Sequence, residues 1–199
     1  MTDPNSIPVQ PWVEFVQPYL TAAATVIVPI LVAWVAQRLR AWLGVDMNAT
    51  MIGECQAMGL DAVAGEAVDF LRERRPASLS AITGFHIVEH MPFARLIALV
   101  DEALRALKPG GLLLFETPNP SNILVSTHNF HVDPTHLKPL PSILMSALLE
   151  SRGFVRIEIR NLFPHPNLAN EYRQEVLNDF NRHFYGPQDY GILAWKPAE

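Results

Sequence analysis

Leu107 to Pro120 reads LKPGGLLLFETPNP, and the fold is decided there. A helical pattern ends at Lys108. Pro109 cannot continue it, and Gly110-Gly111 supply the unrestricted backbone of a sharp turn. Four apolar residues follow, Leu112 to Phe115, the length of a buried strand. Glu116 and Thr117 close that strand on polar groups, and Pro118-Asn119-Pro120 turn the chain into a loop. Helix, turn, buried strand and polar exit are half of a βαβ unit, so a parallel sheet is expected. Such sheets bind ligands at the carboxyl ends of their strands, where Glu116 to Asn119 lie.

Upstream, Leu96, Ile97, Val100, Leu104 and Leu107 share one face of a helix from Phe93 to Leu107. Before it come a strand (Ser80 to Phe85) and a loop (His86 to Pro92). Ala67 to Arg75 reads as a helix stopped by Pro76. Leu43 to Asp46 and Asp61 to Ala64 read as short strands, and the helix between them is capped by Asn48 and stopped by Gly59. Downstream, a long loop (Pro118 to Pro141) leads to a helix (Ser142 to Ser151) and a strand (Val155 to Asn161). A helix (Asn170 to Phe184) and a last strand (Tyr190 to Trp195) complete the chain. The order predicts an α/β, Rossmann-like, doubly wound and mostly parallel sheet.

The 199 residues suffice for one domain with a substantial core and an appendage. With 49% apolar and 18% charged residues, the chain is not compositionally disordered. A net charge of -5 and scattered basic residues give no footprint for nucleic acid. The single cysteine, Cys55, excludes an internal disulfide and a Cys-rich zinc site.

Residues 1–43 stand apart as a polar, proline-bearing arm and an apolar segment. Phe15 to Gln37 carries no charge and is about the ~20 residues a helix needs to cross a bilayer. Trp12 and Tyr19 flank one end, Trp34 and Trp42 the other, as interfacial anchors do. Arg38 and Arg40 follow the span, so an outside N-terminus and a cytoplasmic remainder are expected, with the membrane as partner through residues 15–37. The competing reading is a buried or partner-binding helix kinked at Pro29. In composition the segment is weakly similar to the N-terminal part of small phage holins.

Residues 44–199 resemble class I S-adenosylmethionine-dependent methyltransferases of the type 11/12/23 branch. Five blocks carry the resemblance: GVDMN (Gly44 to Asn48), AGEA (Ala64 to Ala67), GFHIVEHM (Gly84 to Met91), LKPGGLLLFETPNP, and FYGPQDYGILAWKP (Phe184 to Pro197). The resemblance implies S-adenosyl-L-methionine as cofactor and O-methylation of a small hydroxylated acceptor. It places Asp46, with Met47 beside it, at the ribose hydroxyls, for which a carboxylate is a bidentate acceptor. Gly65, Glu66 and Ala67 align with a turn that contacts adenine, with Glu where the family has Asp. Phe85 and His86 open the loop beneath the methyl donor. From the residues alone, Asp46 and Glu66 read equally as acids at helix starts.

Within that loop His90 is the first candidate general base, since imidazole titrates near neutral pH; the competing reading is a cap on the next helix. The loop HNFHVDPTHLKPLP (His128 to Pro141) adds His136, supported by Asp133, as a base or substrate ligand. Glu89-His90 with a distant histidine also resembles the divalent-metal constellation of plant-type small-RNA 2′-O-methyltransferases. Those begin the motif with Glu where this chain has His86, and imidazoles suit zinc or iron better than magnesium. The plain reading is a polar loop with solvent-facing histidines.

One family element is missing from the sequence. None of the ten glycines forms a GxG turn, and none precedes Gly44. The sheet is therefore expected to lack its N-terminal strand and its glycine-rich turn. The alternative function is a catalytically decayed methyltransferase fold acting as a membrane-anchored or scaffolding module. A third is a holin-like membrane protein with an accidental fusion.

Overall fold

The computed structural model describes residues 42–165 and 175–199. The apolar segment from Phe15 to Gln37 and the first residues of the helix expected from Asn170 lie outside them. Among the described residues no helix is long and apolar enough to cross a membrane. The described residues divide into two compact units, one up to Gly65 and one from Glu66 onward.

In the first unit, β1 (Gly44–Asp46) and β2 (Ala62–Ala64) pair in parallel around α1 (Ala49–Ala57), with Asp46 opposite Ala64. Asn48 caps α1 as expected, its side-chain oxygen accepting from the Thr50 and Met51 amides. Gly59, at φ 78°, takes the left-handed turn that releases the chain toward β2.

The second unit runs α2 (Ala67–Arg72), β3 (Leu79–Phe85), a 3-10 turn (Val88–His90), α3 (Phe93–Ala106) and β4 (Leu107–Pro118). It continues through α4 (Ile123–Thr127), a 3-10 turn (Asn129–Val132), α5 (Ser142–Ser151), β5 (Val155–Pro164), α6 (Glu175–Tyr185) and β6 (Pro187–Trp195). Its sheet has the order β3-β4-β6-β5. β3 and β4 are parallel, whereas β6 runs antiparallel to both β4 and β5. The expected mostly parallel sheet is therefore mixed. Apolar periodicity identifies β6 as a strand but carries no sign of its direction, and the returning chain fills the gap between β4 and β5.

The turn expected at Gly110-Gly111 exists, but inside a longer strand. Leu107 already pairs with Leu79, and the next pair is Leu112 with Ala81, so residues 108–111 bulge out with Gly110 at φ 72°. From Gly111 onward β4 alternates: Leu113, Phe115 and Thr117 are buried, their neighbours half-buried. Leu96, Leu99, Val100, Ala103 and Ala106 of α3 pack into the same core. The buried stripe is shifted from the expected one because Ala103 and Ala106 bring the helix backbone close, leaving Ile97 and Leu104 at its flanks.

The carboxyl end of the sheet is tied down by buried polar groups. Asn122 donates to the Gly186 carbonyl at 3.1 Å and accepts from the Val125 amide at 3.2 Å. Asn119 donates to the Pro187 carbonyl at 3.1 Å. The buried Tyr190 hydroxyl donates to the Leu140 carbonyl at 2.7 Å, anchoring the long loop before α5.

Candidate active site

The parallel pair β3 and β4 ends at Phe85 opposite Glu116, and β6 begins beside it with Asp189 opposite Pro118. Titratable side chains gather at this edge. His86 leaves β3 in the left-handed region at φ 48°, an uncommon conformation for a residue with a Cβ. Its Nδ1 lies 3.1 Å from Glu89 Oε1, and its Nε2 3.4 Å from Glu116 Oε1. The Glu89 side chain is fully buried, and its Oε2 accepts from the Thr117 hydroxyl at 2.8 Å. A buried carboxylate demands such partners, because stripping it of water unpaired is costly.

Gly84 sets the close packing of this end. A Cβ there would stand 2.9 Å from both Ile87 Cγ2 and Phe115 Cδ1. The loop after β3 consequently folds back as the turn that carries Glu89 and His90 inward.

The long loop arrives from the other side. The Leu137 amide donates to the Glu89 carbonyl at 2.9 Å, which seats it. The rings of His90 and His136 then lie 4.6 Å apart, tilted by 58°, with Phe130 4.5 Å from His136. His136 Nδ1 donates to the Phe130 carbonyl at 2.6 Å. His90 does not cap α3, whose cap position is Pro92; its Nδ1 meets the Thr135 hydroxyl at 2.9 Å. Thr135 in turn donates to Asp133 Oδ1 at 2.6 Å. Asp133 thus supports His90 through Thr135, while its Oδ2 stays 4.0 Å from His136 Nε2. Hydrogen bonds from the Thr135 hydroxyl and then its amide hold the Asp133 carboxyl below the usual carboxylate range. His128 and His131 remain local, against Asn129 and the Ser126 carbonyl.

A cavity of about 120 Å³ opens beside His136, lined also by Phe130, Pro118, Gln188 and Asp189. Burial lifts the Asp189 carboxyl above the usual carboxylate range; His86 pulls it back, and Glu116 and Glu89 push it further up. Burial, then the Glu89 charge, also raises the Tyr190 phenol.

The structure brings His86, His90, Asp133 and His136 together at one edge, as the sequence suggested. Phe85 ends β3 with its ring 57% exposed. Glu66 caps α2, accepting from the Asp69 amide at 2.9 Å, and Arg95 donates to the same oxygen. Ala67 opens that helix. In the first unit, the Asp46 carboxylate ends β1, accepts from the Asn48 amide at 2.7 Å and is exposed, and Met47 is 76% exposed. Gly65 donates its amide to the Asp46 carbonyl at 2.9 Å. Thr117 lies at the strand end where the sequence puts ligand-facing groups, but its bond to Glu89, and the parts of Thr135 and Asp189, escape sequence reading. Asp189 stands just before the apolar run from Tyr190 and Thr135 lies in Asp-Pro-Thr-His, but neither has a signature of its own.

No protein-family model matches the chain. A probable S-adenosylmethionine-dependent methyltransferase of Mycolicibacterium smegmatis is 31% identical over 94 residues, covering 47% of this chain and 35% of that protein. The ubiquinone biosynthesis O-methyltransferase of Idiomarina loihiensis is 38% identical over 53 residues, 27% of this chain and 21% of the other. These matches span about a third or less of the curated relatives. A SAM-dependent methyltransferase from Archaeoglobus fulgidus superposes with a TM-score of 0.71 at 29% identity, over 77% of this chain and 75% of that one. The chain therefore has the Rossmann-like fold of class I S-adenosylmethionine-dependent methyltransferases, with a mixed sheet.

Proposed function

We propose that the protein is an S-adenosylmethionine-dependent methyltransferase that methylates a hydroxyl of a small acceptor. The observation that carries the reading is the paired imidazoles of His90 and His136, 4.6 Å apart, at the carboxyl edge of β3 and β4. Similarity to an O-methyltransferase supports oxygen as the acceptor atom. The exposed residues at the strand ends fit a nucleoside. Within the first unit, Asp46 offers a carboxylate to ribose hydroxyls and Met47 an exposed apolar surface for a purine. Glu66, committed to the α2 cap and Arg95, orients the helix start.

The bound cofactor supplies a sulfonium-activated methyl group. The chain's own residues position the acceptor and take its proton. His90 or His136 would take the proton of a positioned acceptor hydroxyl, leaving its oxygen to accept the methyl group that the cofactor would supply. The orienting bonds from Thr135 and the Phe130 carbonyl fix both rings before the reaction, so little is spent on reorganisation.

Transfer of labelled methyl from S-adenosylmethionine to phenol, catechol and sugar acceptors tests the reading. Label on oxygen is expected, with turnover in His90→Ala and His136→Ala falling about 100-fold or more and affinity for S-adenosylhomocysteine unchanged. Label found only on nitrogen or carbon acceptors contradicts it, as do wild-type rates in both variants.

A further inference from the structure

We propose that the cavity beside His136 takes an acceptor of one aromatic ring, with its hydroxyl at His136 and an ammonium substituent at Asp189. The inference rests on the methyltransferase reading for the fate of that hydroxyl, and on the cavity alone for the shape and charge of the ligand.

Size sets the first limit. An enclosed apolar cavity of about 150 Å³ accommodates a benzene molecule. An open one of about 120 Å³ therefore holds a single ring with its substituents at the rim, and excludes a fused pair. The walls set the second limit. Pro118, Val125 and Phe130 line the cavity together with the His136 ring, which lies 4.5 Å from that of Phe130 and tilted by 37°. Proline, valine and aromatic surface suit a flat apolar body; the many hydroxyls of a sugar would be stripped of water there with few partners in return.

The polar groups at the cavity divide by what they already bind. His136 gives its Nδ1 proton to the Phe130 carbonyl, so in the neutral ring Nε2 is the nitrogen that accepts a hydroxyl proton. His136 borders the cavity and His90 does not, which makes His136 the imidazole that the acceptor hydroxyl meets. Gln188 spends its amide nitrogen on the Gly186 carbonyl at 2.8 Å. Asp189 differs: among the described residues its carboxylate has no hydrogen-bond or ion-pair partner. The imidazole that acts on it across space, His86, is already shared between Glu89 and Glu116. A half-buried carboxylate without a partner, near two further carboxylates, lacks a cation. An ammonium group supplies positive charge and N–H donors together, a neutral hydroxyl supplies only a donor, and an anion is repelled.

The test titrates the full chain, with and without S-adenosylhomocysteine, with three probes of one shape and different charge. These are the meta and para isomers of hydroxybenzylamine, hydroxybenzyl alcohol and hydroxybenzoate, with affinities read by calorimetry and ligand-observed NMR. At neutral pH the amine should bind at least about 10-fold more tightly than the alcohol, as a hydrogen bond to a charged group warrants, and the benzoate should bind most weakly. Asp189→Asn should bring the amine down to the affinity of the alcohol and leave the alcohol within about 3-fold of its wild-type affinity. Asp189→Glu should restore part of the preference, and Glu150→Gln, an exposed acid on α5, should leave it unchanged. Equal affinities for amine and alcohol in the wild type, no binding of either, or a preference that survives Asp189→Asn overturns the proposal. Circular dichroism shows whether each variant is folded, and the wild-type comparison is decisive without any of them. Saturable S-adenosylhomocysteine binding without amine selectivity overturns this inference alone. Selective amine binding beside a flat S-adenosylhomocysteine trace supports the cavity's ligand class and overturns the methyltransferase reading instead.

Discussion

Thr117→Val isolates the bond that fixes the buried carboxylate. Thr117 and Glu89 are each 1% exposed, and the hydroxyl donates to Oε2 across 2.8 Å. Valine fills nearly the same volume but brings a methyl group where the carboxylate needs a donor. A hydrogen bond to a charged group is worth about 1.5–3 kcal/mol, and no water can replace this one. At about 2–4 °C per kcal/mol for a chain of this length, the melting temperature should fall by about 3–12 °C. Thr117→Ser keeps the donor and loses one buried methyl group, about 1 kcal/mol. Urea unfolding followed by circular dichroism should therefore rank wild type above Thr117→Ser above Thr117→Val. A Val variant within about 0.5 kcal/mol of wild type, or a Ser variant as damaged as Val, would refute the reasoning, because either means that Glu89 does not depend on that hydroxyl.

Gly84→Ala should destabilise by about 1–3 kcal/mol, because the new methyl meets Ile87 and Phe115 at 2.9 Å; unfolding at the wild-type urea midpoint would contradict the packing. Asp189 gives a pH prediction. Its native carboxyl pKa is raised by burial above the unfolded value of 3.8, so the native state binds the proton more tightly. That contribution is present in full below the unfolded pKa and is lost as pH rises through the native one. Asp189→Asn should accordingly gain stability relative to wild type between pH 4 and pH 7; an identical difference at both pH values would contradict the burial argument.

Much of the second unit was legible because its signals are local. The apolar period of Phe93 to Leu107, the proline and glycines after it, and the apolar run Leu112 to Phe115 each specify an element through neighbours in sequence. β6 was found but not its direction, since antiparallel insertion is decided by the path of the chain through α6. In sequence the glycine pair reads as a turn between elements, whereas pairing of Leu107 with Leu79 draws it into a bulge. Titratable residues were legible as candidates in the same way. His90 and His136 stand out by chemistry, and Asp133 lies 4.0 Å from His136 Nε2, but its further route to His90 through the Thr135 hydroxyl is a tertiary contact with no sequence signal. The strain at His86 and the burial of Glu89 have no sequence signature. Glu66 and Asp46 show how acids near helix starts accept backbone amides whatever else they bind.

The central claim is that this sheet edge belongs to a cofactor-binding methyltransferase, and calorimetric titration of the full chain with S-adenosylhomocysteine tests it most directly. Saturable one-to-one binding, weakened at least 10-fold by Asp46→Ala through loss of the charge-assisted bonds to ribose, is the predicted result. A flat trace at high protein concentration, from a chain shown to be folded, would contradict the account.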